Sequence, residues 1–206
     1  ANDINEKVCS VYEDNFGVGS IVKEDIKKLK ISKIPTHDIL LAGFPCQSFS
    51  PAGKKLGIKD KVNGTLFRTI IDILEHHQPK LFILENVRRL LSMQEGMHFH
   101  TIIEALSRLN YDIEWRLLNS NSFGIPQHRQ RVFIVGRRND LKFNSPFILN
   151  DEFEKDLFGD TSLKEKTGYK TPPKKFKNWG KANNNGWYDV DLSDDLNLVK
   201  KITLKE

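Results

Sequence analysis

Asp38-Ile39-Leu40-Leu41-Ala42-Gly43-Phe44-Pro45-Cys46-Gln47-Ser48-Phe49-Ser50 is the stretch that decides the fold. Its first five residues form an apolar run of the length and composition of a short buried strand. The run breaks at Gly43, and a cysteine follows directly behind a proline. From Pro51 to Gly64 the chain is polar and punctuated by glycine, which reads as a surface loop. A cysteine at the carboxyl end of a strand stands where open α/β sheets bind ligands and do chemistry. A thiolate is a strong nucleophile, so Cys46 is a candidate for covalent catalysis. The plainer alternative is a small buried side chain, the commonest fate of a lone cysteine.

Two further runs bear on that choice. Leu81-Phe82-Ile83-Leu84 reads as a second buried strand, stopping on Glu85-Asn86-Val87. A carboxylate closing an apolar strand is costly to desolvate, so Glu85 is expected to be a buried group able to act as an acid near neutral pH. Arg131-Val132-Phe133-Ile134-Val135-Gly136 reads as a third strand, introduced by Gln127-His128-Arg129-Gln130. Arg129 and Arg131 stand two apart and should point the same way. A nucleophile, an acid and paired guanidinium groups are jointly far more specific than any one of them.

Pro45-Cys46-Gln47, Glu85-Asn86-Val87 and Gln127-X-Arg129-X-Arg131, in this order and spacing, resemble the motifs of the DNA cytosine-5 methyltransferases. Gly64-Thr65-Leu66-Phe67 and the segment from Asn119 to Pro126 are similar to that family as well, and the resemblance runs from the first residue to about residue 140. It implies a doubly wound, Rossmann-like α/β fold of the S-adenosylmethionine-dependent methyltransferase type, here truncated. It also implies methylation of cytosine C5 in double-stranded DNA, in a prokaryotic restriction-modification setting. Cys46 would add to C6 of the base, and Glu85 would bond N3 and the amino group. Arg131 would reach O2, while Arg129 would lie near the thiolate and lower its pKa. C6 is shielded inside a stacked duplex, so the cytosine must be flipped out.

The same resemblance assigns the remaining sites. Asp3 and Ile4 would take the ribose and adenine of S-adenosylmethionine, Asp25 and Ile26 the adenine, and Gly43, Pro45 and Leu66 the methionine part. Gln47, Ser50, Lys54, Lys55, Lys59 and Lys61 would face DNA from a closing loop. The four lysines stand against a single acid, Asp60, which suits a phosphate-facing lid. One departure is Asn63, where the family usually carries an arginine before Gly64, so loop anchoring or a phosphate contact is expected to be weaker. The family's opening strand and Gly-rich cofactor turn have no match before Gly43. Its closing motifs and recognition domain have none after residue 140. The chain is therefore expected to be an excerpt that is inactive alone, completed by missing segments of the same chain or by a partner chain.

Composition agrees with one α/β domain. The 206 residues are 38% hydrophobic, enough for a core. A net charge of +5 weakly favours a polyanionic partner. The two cysteines, Cys9 and Cys46, form no disulfide framework, and no Cys/His cluster has metal-ligand spacing. A reducing, cytoplasmic setting is the default expectation. No apolar run reaches about 18 residues, so no membrane span is expected.

Residues 1–140 alternate strands with helical stretches at Glu6 to Asn15, Leu66 to His77 and His100 to Leu109. Beyond Asp140 that rhythm is expected to end. Residues 141–206 then read as a basic linker at the start of a target-recognition region. Between Lys164 and Lys181, seven lysines meet one acid with Phe176 and Trp179 interleaved, which suits either nucleic-acid contact or a solvated linker. Two other functions remain open. One is cytosine-5 methylation of tRNA, since a branch of the family acts on RNA with the same motifs. The other is a catalytically silent subunit that needs a partner chain.

Overall fold

The apolar runs become strands of one mixed sheet, because each can bury a face only against helices that follow in the chain. The computed structural model describes residues 1–45, 66–141, 174–183 and 186–190. In chain order the elements are β1 (Asn2–Asp3), α1 (Glu6–Phe16), β2 (Val22–Lys23), β3 (Ile39–Gly43), α2 (Leu66–His77) and β4 (Leu81–Val87). There follow α3 (Met97–Ser107), β5 (Tyr111–Asn119), β6 (Gln130–Arg138), β7 (Trp179–Asn183) and β8 (Gly186–Val190). Strands β1 and β2 pair in parallel as a small two-stranded sheet. The main sheet has the order β3-β4-β6-β5-β7-β8. Its β3–β4 pairing is parallel, and the other pairings are antiparallel.

Local chemistry explains where the helices begin. Helix α1 starts at Asn5, whose side chain accepts from the Lys7 and Val8 N–H groups, and it closes at Gly17 with φ 95°. Helix α2 buries Phe67, Ile70, Ile71 and Leu74, the i, i+3, i+4, i+7 spacing of one face. Helix α3 begins three residues before the expected His100. Its N-cap is Gly96 at φ 80°, with no side-chain cap, so the Ser/Thr/Asp/Asn signal that marks a helix start is missing. It ends at Ser107, and the chain turns at Asn110 in the left-handed region.

Helices α2 and α3 lie on one face of the main sheet. Alternation along β4 sends Phe82, Leu84 and Asn86 inward, and all three are buried. Val132 and Ile134 of β6 and Ile113 and Trp115 of β5 complete that face, with α2 and α3 contributing Phe67, Leu74, Phe99, Ile102 and Leu106 to the same core. Gly136 of β6 is where the Phe82 ring occupies the space a side chain would need. The opposite face at β3 and β4 stays open, with Ile39, Leu41, Ile83 and Val87 exposed.

The expectation that the strand rhythm ends near residue 140 is not met. Strand β7 pairs with β5 from Ile113↔Ala182 to Arg116↔Trp179. Phe176, expected among exposed aromatics, is fully buried, with its ring 4.9 Å from Phe99 and 5.9 Å from Trp115. The Phe176 N–H donates to the Leu91 carbonyl at 2.9 Å. A lysine-rich composition concealed one apolar anchor, and burying a single aromatic outweighs the solvation preference of its charged neighbours, whose heads remain in water. Among the described residues, no helix is long and apolar enough to cross a membrane. None of their acidic, histidine or cysteine side chains groups in threes to hold a metal ion.

Phe176→Ala should lower unfolding stability by about 3–5 kcal/mol, the cost of truncating a fully buried aromatic. Urea denaturation provides the check. A loss below about 1 kcal/mol would mean that the 174–183 segment is not part of this core.

Candidate active site

Parallel pairing of β3 with β4 sets their carboxyl ends side by side. The register runs from Ile39↔Leu81 to Gly43↔Glu85, so Gly43 lies directly opposite Glu85. The first carbon of any side chain at position 43 would stand 3.7 Å from Glu85 Oε2, and glycine leaves that space open. Glu85 is not the terminal residue of its strand, which continues through Val87. Nor is it buried, since its side chain is 39% exposed. The period of two explains the difference. Phe82, Leu84 and Asn86 take the inward positions, so Glu85 projects from the open face and escapes the desolvation expected of it.

Its partner comes from the neighbouring antiparallel strand. Arg131 of β6 is in register with Val87, which places it diagonally beside Glu85 on the same face. Arg131 Nε lies 2.7 Å from Glu85 Oε1. Arg131 Nη1 donates to the Gln130 carbonyl at 2.8 Å, and Arg88 Nη1 donates to Gln130 Oε1 at 2.7 Å. The result is a carboxylate held by a guanidinium at the rim of the sheet, next to the chain's exit from β3. A pair this accessible contributes at most about 1 kcal/mol to stability. Its larger effect is to orient both groups.

The segment entering β6 is templated by the turn after β5. Arg129 N donates to Asn119 Oδ1 at 3.1 Å, Ser120 N donates to the Arg129 carbonyl at 3.1 Å, and Ser120 Oγ donates to the Gln127 carbonyl at 2.5 Å. Arg129 itself is exposed just ahead of β6. One residue past Glu85, Asn86 is 3% exposed. Its Nδ2 donates to the Phe44 carbonyl at 2.7 Å, while its Oδ1 accepts from Val87 N at 2.8 Å. Pro45, the next residue, is exposed, and Leu66 opens α2 half-buried.

Asp3, Ile4, Asp25 and Ile26 are brought together by the small sheet. Asn2↔Val22 and Asp3↔Lys23 are in register, so both chains leave their strands at the same edge. Asn2 Nδ2 ties them further, donating to the carbonyls of Val22 at 3.0 Å and Glu24 at 2.9 Å. Asp3 Oδ1 accepts from Asn5 N at 2.7 Å and Asp25 Oδ1 from Lys27 N at 3.0 Å. Ile4 is 69% exposed beside them. Each carboxylate uses one oxygen to accept from its own turn. Cys46, Gln47, Ser50, Lys54, Lys55, Lys59 and Lys61 lie outside the described residues.

Reading the sequence alone found Glu85, Arg129 and Arg131 but not the residues that hold them. Asn119 and Ser120 belong only to a family-like segment, which assigns them no partner. Asn86 carried a stronger signal, as a polar residue two positions after Leu84 on a face otherwise apolar.

Comparisons with known proteins point one way. A family model described as C-5 cytosine-specific DNA methylase matches residues 1–197. The chain is 48% identical over 140 residues to the Type II methyltransferase M.NgoBI of Neisseria gonorrhoeae, covering 68% of this chain and 43% of that protein. To M.HhaI of Haemophilus parahaemolyticus it is 39% identical over 162 residues, covering 76% and 48%. To M.NlaIV of Neisseria lactamica it is 39% identical over an alignment of 230 residues, covering 100% and 53%. Among solved structures, a Spodoptera frugiperda DNMT2 mutant superposes with a TM-score of 0.56 at 28% identity, covering 71% of this chain and 44% of that one. The chain thus spans about half the length of the curated relatives it matches.

A double-mutant cycle of Glu85→Ala and Arg131→Ala, read by urea denaturation, should give a coupling of about 0.2–1 kcal/mol. A coupling above about 3 kcal/mol would mean that the pair is desolvated and structural.

Proposed function

Because the chain belongs to the C-5 cytosine-specific DNA methylase family, we propose that the protein methylates C5 of a flipped-out cytosine in double-stranded DNA, as the modifying half of a restriction-modification pair. The observation that carries the reading is the Glu85–Arg131 pair facing Gly43, one strand from the segment that leads through Pro45 to Cys46.

The chemistry follows from what cytosine lacks. Its C5 is a poor nucleophile until a group adds at C6. Cys46 Sγ, as thiolate, donates an electron pair to C6, and the C5=C6 π electrons move toward N3 and C5. Glu85 would hold a proton at N3 and bond the amino group, drawing off the charge that builds there. Arg131 holds that carboxylate in place and, on the open face, has further N–H groups for the base's O2. Arg129, exposed beside it, adds positive charge that favours a thiolate. Once C5 carries its methyl group, loss of the C5 proton to a base restores the double bond and expels the thiolate, so the enzyme ends unchanged.

S-adenosylmethionine, when bound, supplies the electrophilic methyl group. The residues present suit its adenosine end. Asp3 and Asp25 offer carboxylate oxygens toward ribose hydroxyls and an adenine amino group, and Ile4 offers an exposed apolar surface to a purine ring. Gly43, Pro45 and Leu66 would border the methionine part, with Ile26 beside the adenine. Gln47, Ser50, Lys54, Lys55, Lys59 and Lys61 would contact DNA, the lysines through its phosphates. Residues 141–206 would lead toward the recognition region, with the β7–β8 portion remaining part of the catalytic sheet. The family description and the Type II methyltransferase relatives favour DNA over tRNA.

Cys46→Ser in the full-length enzyme should reduce methyl transfer to duplex DNA by more than about a hundredfold while sparing most DNA binding, because the covalent bond forms only after the base is engaged. Methyl incorporation into duplex DNA and into tRNA, measured side by side, is the check. A serine variant keeping more than about a hundredth of the rate would remove Cys46 from the mechanism, and preferential labelling of tRNA would reassign the substrate.

A further inference from the structure

We propose that Arg88, Arg89, Lys174 and Lys175 form one basic track along the rim of the main sheet, which holds the phosphates of the DNA strand flanking the target cytosine. The inference rests on the methyltransferase reading and joins two segments that lie far apart in the chain.

Strand β4 leaves the sheet at Val87, and a short 3-10 helix, Arg88–Ser92, follows at once. Leu90 and Leu91 are buried and pin this helix to the core, so Arg88 and Arg89 face solvent. Arg88 Nη1 donates to Gln130 Oε1 at 2.7 Å, at the point where β6 begins. Farther along, the Leu91 carbonyl accepts from Phe176 N at 2.9 Å, just ahead of β7. The 3-10 helix therefore crosses the rim from the end of β4, past the start of β6, to the approach to β7. The strands lie in the order β4-β6-β5-β7. Neighbouring strands stand about 4.8 Å apart, so the crossing covers about 14 Å.

Burial of the Phe176 ring brings the second pair of cations to the same rim. Lys174 and Lys175 directly precede it and are exposed. Lys174 Nζ lies 3.9 Å from Glu95 Oε1, and both side chains are mostly in water, so the pair is weak and a phosphate can displace the carboxylate. The other acid at this rim, Glu85, is already engaged by Arg131 at 2.7 Å. Arg88 commits one of its N–H groups to Gln130, and a guanidinium has five. The rim is therefore positive on balance. One DNA strand carries a phosphate about every 3.4 Å of helix axis, so a rim of about 14 Å faces about four of them. DNA is the polyanion that fits, because the same rim carries the Glu85–Arg131 pair. A cytosine held by that pair stays attached to its own backbone, which must then run along this edge.

The test measures how the affinity of the full-length enzyme for a duplex depends on salt. Each phosphate contact contributes about 0.9 to the slope of log affinity against log salt concentration. Arg89→Ala combined with Lys175→Ala should therefore flatten that slope by about 1.8, equally for duplexes with and without a target cytosine. Single-turnover methyl transfer at saturating duplex should stay within about threefold of wild type, because neither side chain touches the base. Arg89→Lys alone should keep the wild-type slope, which separates charge from packing. Lys80→Ala, just ahead of β4 at the opposite edge of the sheet, should leave the slope unchanged. A double variant whose slope lies within about 0.3 of wild type would overturn the proposal. So would a slope that flattens for tRNA and not for duplex DNA. A wild type that methylates no cytosine sinks the methyltransferase reading itself. A methylating wild type whose double variant keeps its slope sinks only the track.

Discussion

The parallel pairing of β3 with β4 is the constraint on which the rest of the site depends. Five consecutive registered pairs end at Gly43↔Glu85, so the chain leaving β3 starts beside the Glu85 carboxylate. Parallel strands need a long crossover, and α2 provides it, burying its apolar stripe on the face that carries Phe82 and Leu84. A one-residue slip in that register would turn Glu85 into the core and Leu84 out of it. The cost of burying the charge and exposing the leucine holds the register where the chemistry needs it.

Alternation along β4 then divides labour between its two faces. Inward, Phe82 and Leu84 pack against the helices and Asn86 ties down Phe44. Outward, Glu85 meets Arg131 from the antiparallel strand β6. The pair spans two strands whose relative position is set by seven registered contacts, from Leu81↔Arg137 to Val87↔Arg131. Its geometry is therefore an inheritance from the sheet, and the modest energy of a half-exposed ion pair suffices to orient two side chains already brought within reach.

Much of this was legible in the sequence, for reasons that differ from element to element. The helix at Leu66–His77 and the strands around Ile39, Leu81 and Val132 show hydrophobic periodicity and length without ambiguity. Pro45-Cys46-Gln47, Glu85-Asn86-Val87 and Gln127 to Arg131 pointed to the family because three short motifs in one order and spacing are jointly far more specific than any one of them. Three features were hidden. Glu85 was expected to be desolvated, since an apolar run does not reveal which of its faces will lie open. Strand β5 and the β7–β8 hairpin went unnamed because charged residues interrupt their apolar positions, and pairing across the chain, which no local window contains, settles them. The supporting bonds of Asn86, Asn119 and Ser120 join segments far apart in sequence or bend a turn, and residue type alone does not name the partner.

In the proposed mechanism Cys46 adds to C6 of a cytosine held by Glu85 and Arg131. A duplex carrying 5-fluorocytosine at the target position tests it most directly, because fluorine at C5 cannot leave as the proton does and the adduct is trapped after methyl transfer. Incubation of the full-length enzyme with that duplex and S-adenosylmethionine, followed by proteolysis and peptide mass spectrometry, should give one covalent protein–DNA adduct on the peptide containing Cys46. An adduct mapped to another residue, or cytosine methylation in the natural duplex with no adduct on the fluorinated one, would contradict the account.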